Sequence, residues 1–99
     1  MVKEISVLRI DGTKAEQFEE VYREIAPILR RQSGYQYDEL LRVVENPDEY
    51  ILIIHWKDVE SHQRFIDSRD FPLIVDTWGR MQKEAVVRHC VVVDTDGRA

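Results

Sequence analysis

The sequence predicts an α+β fold of strand–helix–strand–strand–helix–strand order, with a four-stranded antiparallel sheet covered by two helices. Three observations carry this. Four short stretches rich in branched and aliphatic residues are separated by two whose apolar residues recur at helical spacing. Glu45-Asn46-Pro47-Asp48 joins the second and third strand-like stretches with turn-forming residues, which makes them a hairpin. Ile51-Leu52-Ile53-Ile54 and Val91-Val92-Val93 put large apolar side chains on both faces of the third and last strands. A sheet with one solvated face would alternate instead.

The first strand is EISVLRI, Glu4 to Ile10, ended by the turn signal Asp11-Gly12. Thr13-Lys14-Ala15-Glu16 reads as a capping box, with the threonine hydroxyl accepting from the backbone. Phe18, Val21, Tyr22, Ile25 and Leu29 then form the apolar stripe of a helix. Pro27 should kink that helix or end its regular part, and Gly34 should stop it in a left-handed conformation. Tyr35 to Glu45 and Glu49 to Lys57 form the hairpin strands. Asp58 suits the N-cap of a second helix, with Glu60 in the first turn, where the helix dipole favours an anion. Val59, His62, Phe65 and Ile66 occupy one side of it. The chain breaks near Asp70-Phe71-Pro72, a short helix runs from Leu73 to Met81, and the last strand spans Ala85 to Val93. The order is the split βαβ arrangement of a ferredoxin-like domain. An uncovered apolar sheet face is larger than monomers usually expose, so two sheets should pack face to face in a homodimer.

Ninety-nine residues suit one domain, with its core at about 4–93 and a disordered tail, DTDGRA, at 94–99. No apolar run approaches the roughly 20 residues needed to span a bilayer. The charged start MVKEISVLRID lacks a secretory core, which leads us to expect a cytoplasmic protein. The net charge of −5, with Arg30-Arg31 the one adjacent basic pair, argues against nucleic-acid binding. Cys90 is the single cysteine, so it has no disulfide partner and no cysteine companion for a metal site; its apolar run suits an inert thiol. Dinucleotide fingerprints, P-loops, zinc-protease motifs and nucleophile elbows are absent.

Gly34-Tyr35, Asn46-Pro47, and the run Ile54-His55-Trp56-Lys57-Asp58 into Ser61-His62-Gln63-Arg64-Phe65 resemble the antibiotic biosynthesis monooxygenase domain across residues 4–93. The resemblance implies a dimeric α+β barrel. For its best-known branch it also implies oxidation of phenolic, quinol or anthrone substrates by O₂ without metal or flavin, so no cofactor is expected. A non-catalytic dimeric binding or accessory protein of the same fold is the alternative. In the haem-degrading branch, an asparagine and an iron-binding histidine would stand where this chain has Ser6 and Val75, so the resemblance points away from haem. Quinol-oxidising relatives carry a later helix histidine at the position of Phe65, whereas His62 lies three residues earlier.

Each candidate residue has a plain reading beside the functional one. His62 is either an amphipathic packing residue or the general base, a role suited to a side chain that titrates near neutral pH. Trp56 is either core or a catalytic-pocket wall that stacks on a planar substrate and donates its indole N–H. Ser6, Phe65, Phe71 and Trp78 are candidate substrate contacts, with Phe71 and Trp78 in a segment that could form a lid. His55 should face away from Trp56 by strand parity, and neither His55 nor His89 is assigned a role. Tyr22, Tyr35, Tyr37 and Tyr50 could orient a ligand, and nothing ranks them. Asp67, Asp70 and Asp76 read as solvated charges.

Overall fold

The computed structural model describes residues 1–97. Strand β1 (Val2–Ile10) leads into α1 (Ala15–Arg30), followed by β2 (Tyr35–Arg42), β3 (Glu49–Trp56), α2 (Val59–Ile66), α3 (Phe71–Val75) and β4 (Gln82–Cys90). The four strands form one antiparallel sheet in the order β2-β3-β1-β4. This is the expected ferredoxin-like arrangement, with β1 central because its neighbours come from two distant parts of the chain. No helix is long and apolar enough to cross a membrane among the described residues.

Strand parity sorts β1 and β3 cleanly. Val2, Glu4, Ser6, Leu8 and Ile10 are buried beneath the helices, as are Tyr50, Leu52, Ile54 and Trp56. Against them α1 lays Phe18, Tyr22, Ile25 and Leu29, the stripe that the helical period picks out. Val7, Leu41 and Val86, on the opposite sheet face, are 40%, 40% and 44% exposed, so that face presents an apolar surface. His55 also lies there, its ring 5.0 Å from Tyr37, as parity requires.

Several local expectations are corrected. Thr13 does not cap α1: Asp11 accepts from the Thr13 backbone N–H and hydroxyl and caps a 3₁₀ turn (Gly12–Lys14) that runs into the helix. Asp11 out-competes the threonine because its carboxylate can accept both hydrogens at once. Pro27 does not end α1, which continues to Arg30; in the last turn, one missing backbone donor leaves the following residues helical. Val59 is 45% exposed, and Ser61 takes its place among the buried residues of α2. The hairpin strands stop at Arg42 and Trp56, short of Glu45 and Lys57. The helix expected over 73–81 divides into α3 and a 3₁₀ turn (Gly79–Met81). Strand β4 starts three residues early and ends at Cys90, so Val91, Val92 and Val93 lie beyond it, 70%, 48% and 96% exposed. They have no β1 partner, since Cys90 already pairs with Lys3 near the start of β1. The tail shows no helix or strand at 94–97; its last two positions lie outside the described residues.

Gly34 adopts φ +86°, and a Cβ there would lie 2.1 Å from Ser61 Oγ. Only glycine permits both that left-handed backbone and the close approach of the β2 entry to α2. Asp58 holds the other side, accepting from the Ser61 backbone N–H at 2.8 Å and from its hydroxyl at 2.6 Å. The second helix is thereby fixed at its first turn, one residue before His62.

Candidate active site

Between the sheet and α1, α2 and α3 lies a cavity of about 340 Å³, mostly lined by aliphatic and aromatic side chains. That volume falls in the range of small-ligand sites, about 300–1,000 Å³. Ser6, His62, Phe65, Phe71 and Trp78 all border it. Trp78 is anchored at its back by stacking on Phe18 at 4.6 Å and by donating its indole N–H to the Phe18 carbonyl at 3.0 Å. Phe65 and Phe71 meet edge to face at 5.3 Å. These rings form a stiff aromatic wall.

Trp56 does not border the cavity. It is fully buried behind it, stacked against His62 at 5.4 Å, with its indole N–H donating to Glu4 Oε1 at 2.9 Å. Instead of forming a wall, it orients the polar group that does.

That group is Glu4. It is 7% exposed, borders the cavity, and sits on the same buried strand face as Ser6 and Leu8. Its Oε1 also receives the His62 ring, with Nε2 at 3.2 Å, and Ser6 Oγ donates to Oε2 at 3.4 Å, a long contact. His62 Nδ1 in turn lies 2.7 Å from His89 Nε2. Glu4, His62 and His89 therefore make a continuous chain from the cavity to β4, where His89 is exposed. A carboxylate only accepts, so His62 Nε2 carries the hydrogen shared with Glu4. In the neutral ring, Nδ1 must then accept from His89 Nε2–H. Neither nitrogen then has a lone pair to spare, and Glu4, whose Oε2 has only the long Ser6 contact, is the member of this cavity-lining pair that can still accept.

Burial pushes the His62 pKa below the ordinary imidazole value; the Glu4 charge opposes that shift and His89 adds to it. The ring is thus neutral at neutral pH. Val75, where the resemblance would need an iron ligand, borders the cavity with an aliphatic side chain. With both His62 nitrogens engaged, the cavity offers no free imidazole for haem iron, and these residues do not fit that group.

Sequence reasoning missed Glu4 and His89. A signal existed for Glu4: it is the one carboxylate in an otherwise apolar or small stripe, Val2, Glu4, Ser6, Leu8, Ile10. For His89 none did, because its meeting with His62 depends on the β1–β4 register.

The phenols fall elsewhere. Tyr22 and Tyr35 both donate to Asp38, Tyr22 at 2.5 Å, and Arg30 pairs with the same carboxylate at 2.8 Å. Tyr50 donates to Glu19. Burial and the Asp38 contact push the Tyr35 phenol up to about 12, so these hydroxyls brace α1 against the sheet rather than titrate. Asp70 is no free charge, since it accepts from Arg31 and Gln32.

Comparison with known proteins agrees with the fold. The model of the family described as antibiotic biosynthesis monooxygenase matches residues 1–76. The uncharacterised protein YczJ of Bacillus subtilis (strain 168) is 32% identical over 62 residues, 63% of this chain and 65% of that protein, so the match leaves about a third of this relative uncovered. A crystal structure of an antibiotic biosynthesis monooxygenase-family protein of Bordetella bronchiseptica superposes with TM-score 0.88 at 26% identity, covering 93% of this chain and 96% of that one. SnoaB, a cofactor-independent oxygenase from Streptomyces nogalater, superposes with TM-score 0.87 at 20% identity over 98% and 97% of the two chains, a likeness of fold. On the family match over residues 1–76, this chain belongs to the antibiotic biosynthesis monooxygenase family.

Proposed function

We propose that the protein is a cofactor-independent monooxygenase of an aromatic or quinol-type substrate, with O₂ as co-substrate. The observation that carries this reading is a buried carboxylate, Glu4, at the edge of an apolar, aromatic-walled cavity and braced by His62 and Trp56. A phenolic or benzylic proton passes to the Glu4–His62 dyad, with Glu4 Oε2 as the accepting atom and His62 steadying the carboxylate through Nε2–H. The resulting anion is electron-rich, transfers one electron to O₂, and the two radicals combine. The peroxide they form takes back the proton held by the dyad. Its O–O bond then breaks as a second hydrogen leaves the same carbon, so one oxygen stays as a carbonyl and the other departs as water carrying both hydrogens. Phe65, Phe71 and Trp78 hold the planar ring and exclude water, and Ser6 donates to a substrate oxygen or to Glu4. A second copy of the chain covers the open sheet face, where Val7, Leu41 and Val86 form an apolar patch.

Oxygen uptake by purified protein in chelator, against a panel of hydroquinones and anthrones, tests the reading. Uptake above the spontaneous rate that is lost in His62→Ala and Trp56→Ala, with the fold intact, is the expected result. Binding of the panel compounds with no uptake from any of them would favour a ligand-binding protein instead.

A further inference from the structure

We infer that Glu4, His62 and His89 form a proton conduit joining the buried carboxylate at the cavity's edge to solvent, with His89 as its outer terminus. The inference rests on the reading of Glu4 as the cavity base and extends it to a residue that touches neither cavity nor substrate.

Geometry sets the direction. Two imidazole nitrogens 2.7 Å apart must share a hydrogen, since two lone pairs at that distance would repel. A metal with bonds of about 2.0–2.1 Å would hold them farther apart. With Glu4 ionised, His62 Nε2–H points at Glu4 and His89 Nε2–H points at His62, so both hydrogens point inward. A proton arriving from water at His89 Nδ1 lets His89 Nε2 release its hydrogen to His62 Nδ1. His62 Nε2 then releases its own to Glu4 Oε1. One proton enters, one arrives, no electron moves, and each ring ends as its other neutral tautomer. The reverse passage starts from those tautomers and returns the Oε1 proton to solvent; a proton placed on Oε2 while His62 Nε2 still carries its hydrogen stays on the carboxyl until the reaction takes it back.

The surroundings favour this route. His62 is 6% exposed, and the charged or titratable groups facing it are Glu4 from β1 and His89 from β4. His89 and Glu4 are register partners on adjacent strands, so the spacing of the chain's ends is fixed by the sheet and not by a loop. Apolar side chains line most of the cavity, where water cannot serve the same purpose without a polar path.

The test follows exchange of the His62 Nε2–H with solvent by imidazole-nitrogen NMR near neutral pH, in wild type and His89→Ala. His89 is exposed, so the variant should fold, and retained backbone amide shifts away from β4 would show that. The conduit predicts exchange slowed roughly tenfold in the variant and restored by added imidazole. An unchanged rate overturns it, as does a slowed rate that imidazole does not restore. Oxygen uptake is not involved. A protein that exchanges as described but consumes no oxygen would leave the conduit standing and the proposed reaction refuted. Glu4-dependent uptake with exchange indifferent to His89 would do the opposite.

Discussion

Replacing Glu4 separates what its shape does from what its charge does. In the wild type one oxygen, Oε1, accepts from both Trp56 Nε1 at 2.9 Å and His62 Nε2 at 3.2 Å, while Oε2 has only the long contact from Ser6. Glutamine keeps an oxygen with two lone pairs at the Oε1 position, and its NH₂ can donate to the Ser6 hydroxyl, which rotates to accept. Glu4→Gln therefore leaves no donor orphaned. It exchanges two charge-assisted hydrogen bonds for neutral ones but relieves the burial of a carboxylate, for a net cost of about 1 kcal/mol or less. Glu4→Leu strands both ring donors in a dry site, at about 1–3 kcal/mol each, so about 2–6 kcal/mol in total. Urea denaturation of both variants at one protein concentration, above the imidazole pKa, measures the contrast. In oxygen uptake the two variants should be equally inactive, since glutamine cannot take a proton. Equal destabilisation by the two substitutions would show that charge, not acceptor geometry, holds the site. A leucine cost under about 1 kcal/mol would show that Glu4 does not hold the two rings at all.

Three other perturbations give defined outcomes. Because burial lowers the His62 pKa, the unfolded chain binds its proton first as pH falls; stability should drop from about pH 6.5 downward and level off below the folded value, by at most about 1.4 kcal/mol per pH unit for this group. His62→Gln should flatten that part of the urea-midpoint profile, and a parallel profile would refute the assignment. Gly34→Ala meets a left-handed backbone and a Cβ 2.1 Å from Ser61 Oγ, so a loss of about 2–5 kcal/mol is expected by thermal or urea melts; a near-neutral result would mean that the β2 entry shifts freely. Val7→Glu puts a charge in the open sheet face and should convert a dimer to monomer in sedimentation equilibrium, while an unchanged mass would mean that this face is not the interface.

Elements were legible where one local signal decided them. The α1 stripe, the Asp58 cap and the hairpin turn are each set by a few adjacent residues and chemistry that acts over one turn. Ends were misread where a longer-range competitor settled the matter: Asp11 against Thr13 for the cap, and the length of β1 against the valine run for the end of β4. In the site, His62 was legible as a histidine on a buried helix side. Its partners were not, because one lies in β1 and the other in β4, with the whole of α1 and the hairpin between. Trp56 was legible as a site residue by resemblance, yet its position behind the cavity follows from Val2 pairing with Trp56, which turns the indole toward Glu4.

The same register explains why the chemistry sits where it does. Glu4 pairs with Ile54 on one side and His89 on the other, so the central strand carries the carboxylate and an edge strand carries the outer histidine. Helix α2, eight residues long, buries His62, while His89 on β4 stays exposed. One imidazole can therefore be buried and its hydrogen-bonded neighbour exposed within a single contact. Side chains alternate along a strand, so a one-residue slip of β4 would replace His89 on the helix side by Arg88 or Cys90. Arg88 would then set a fixed positive charge, with no acceptor, against His62 Nδ1. The site thus depends on sheet register as strictly as on the identity of its residues, and strand pairing, more than any local motif, assembles it.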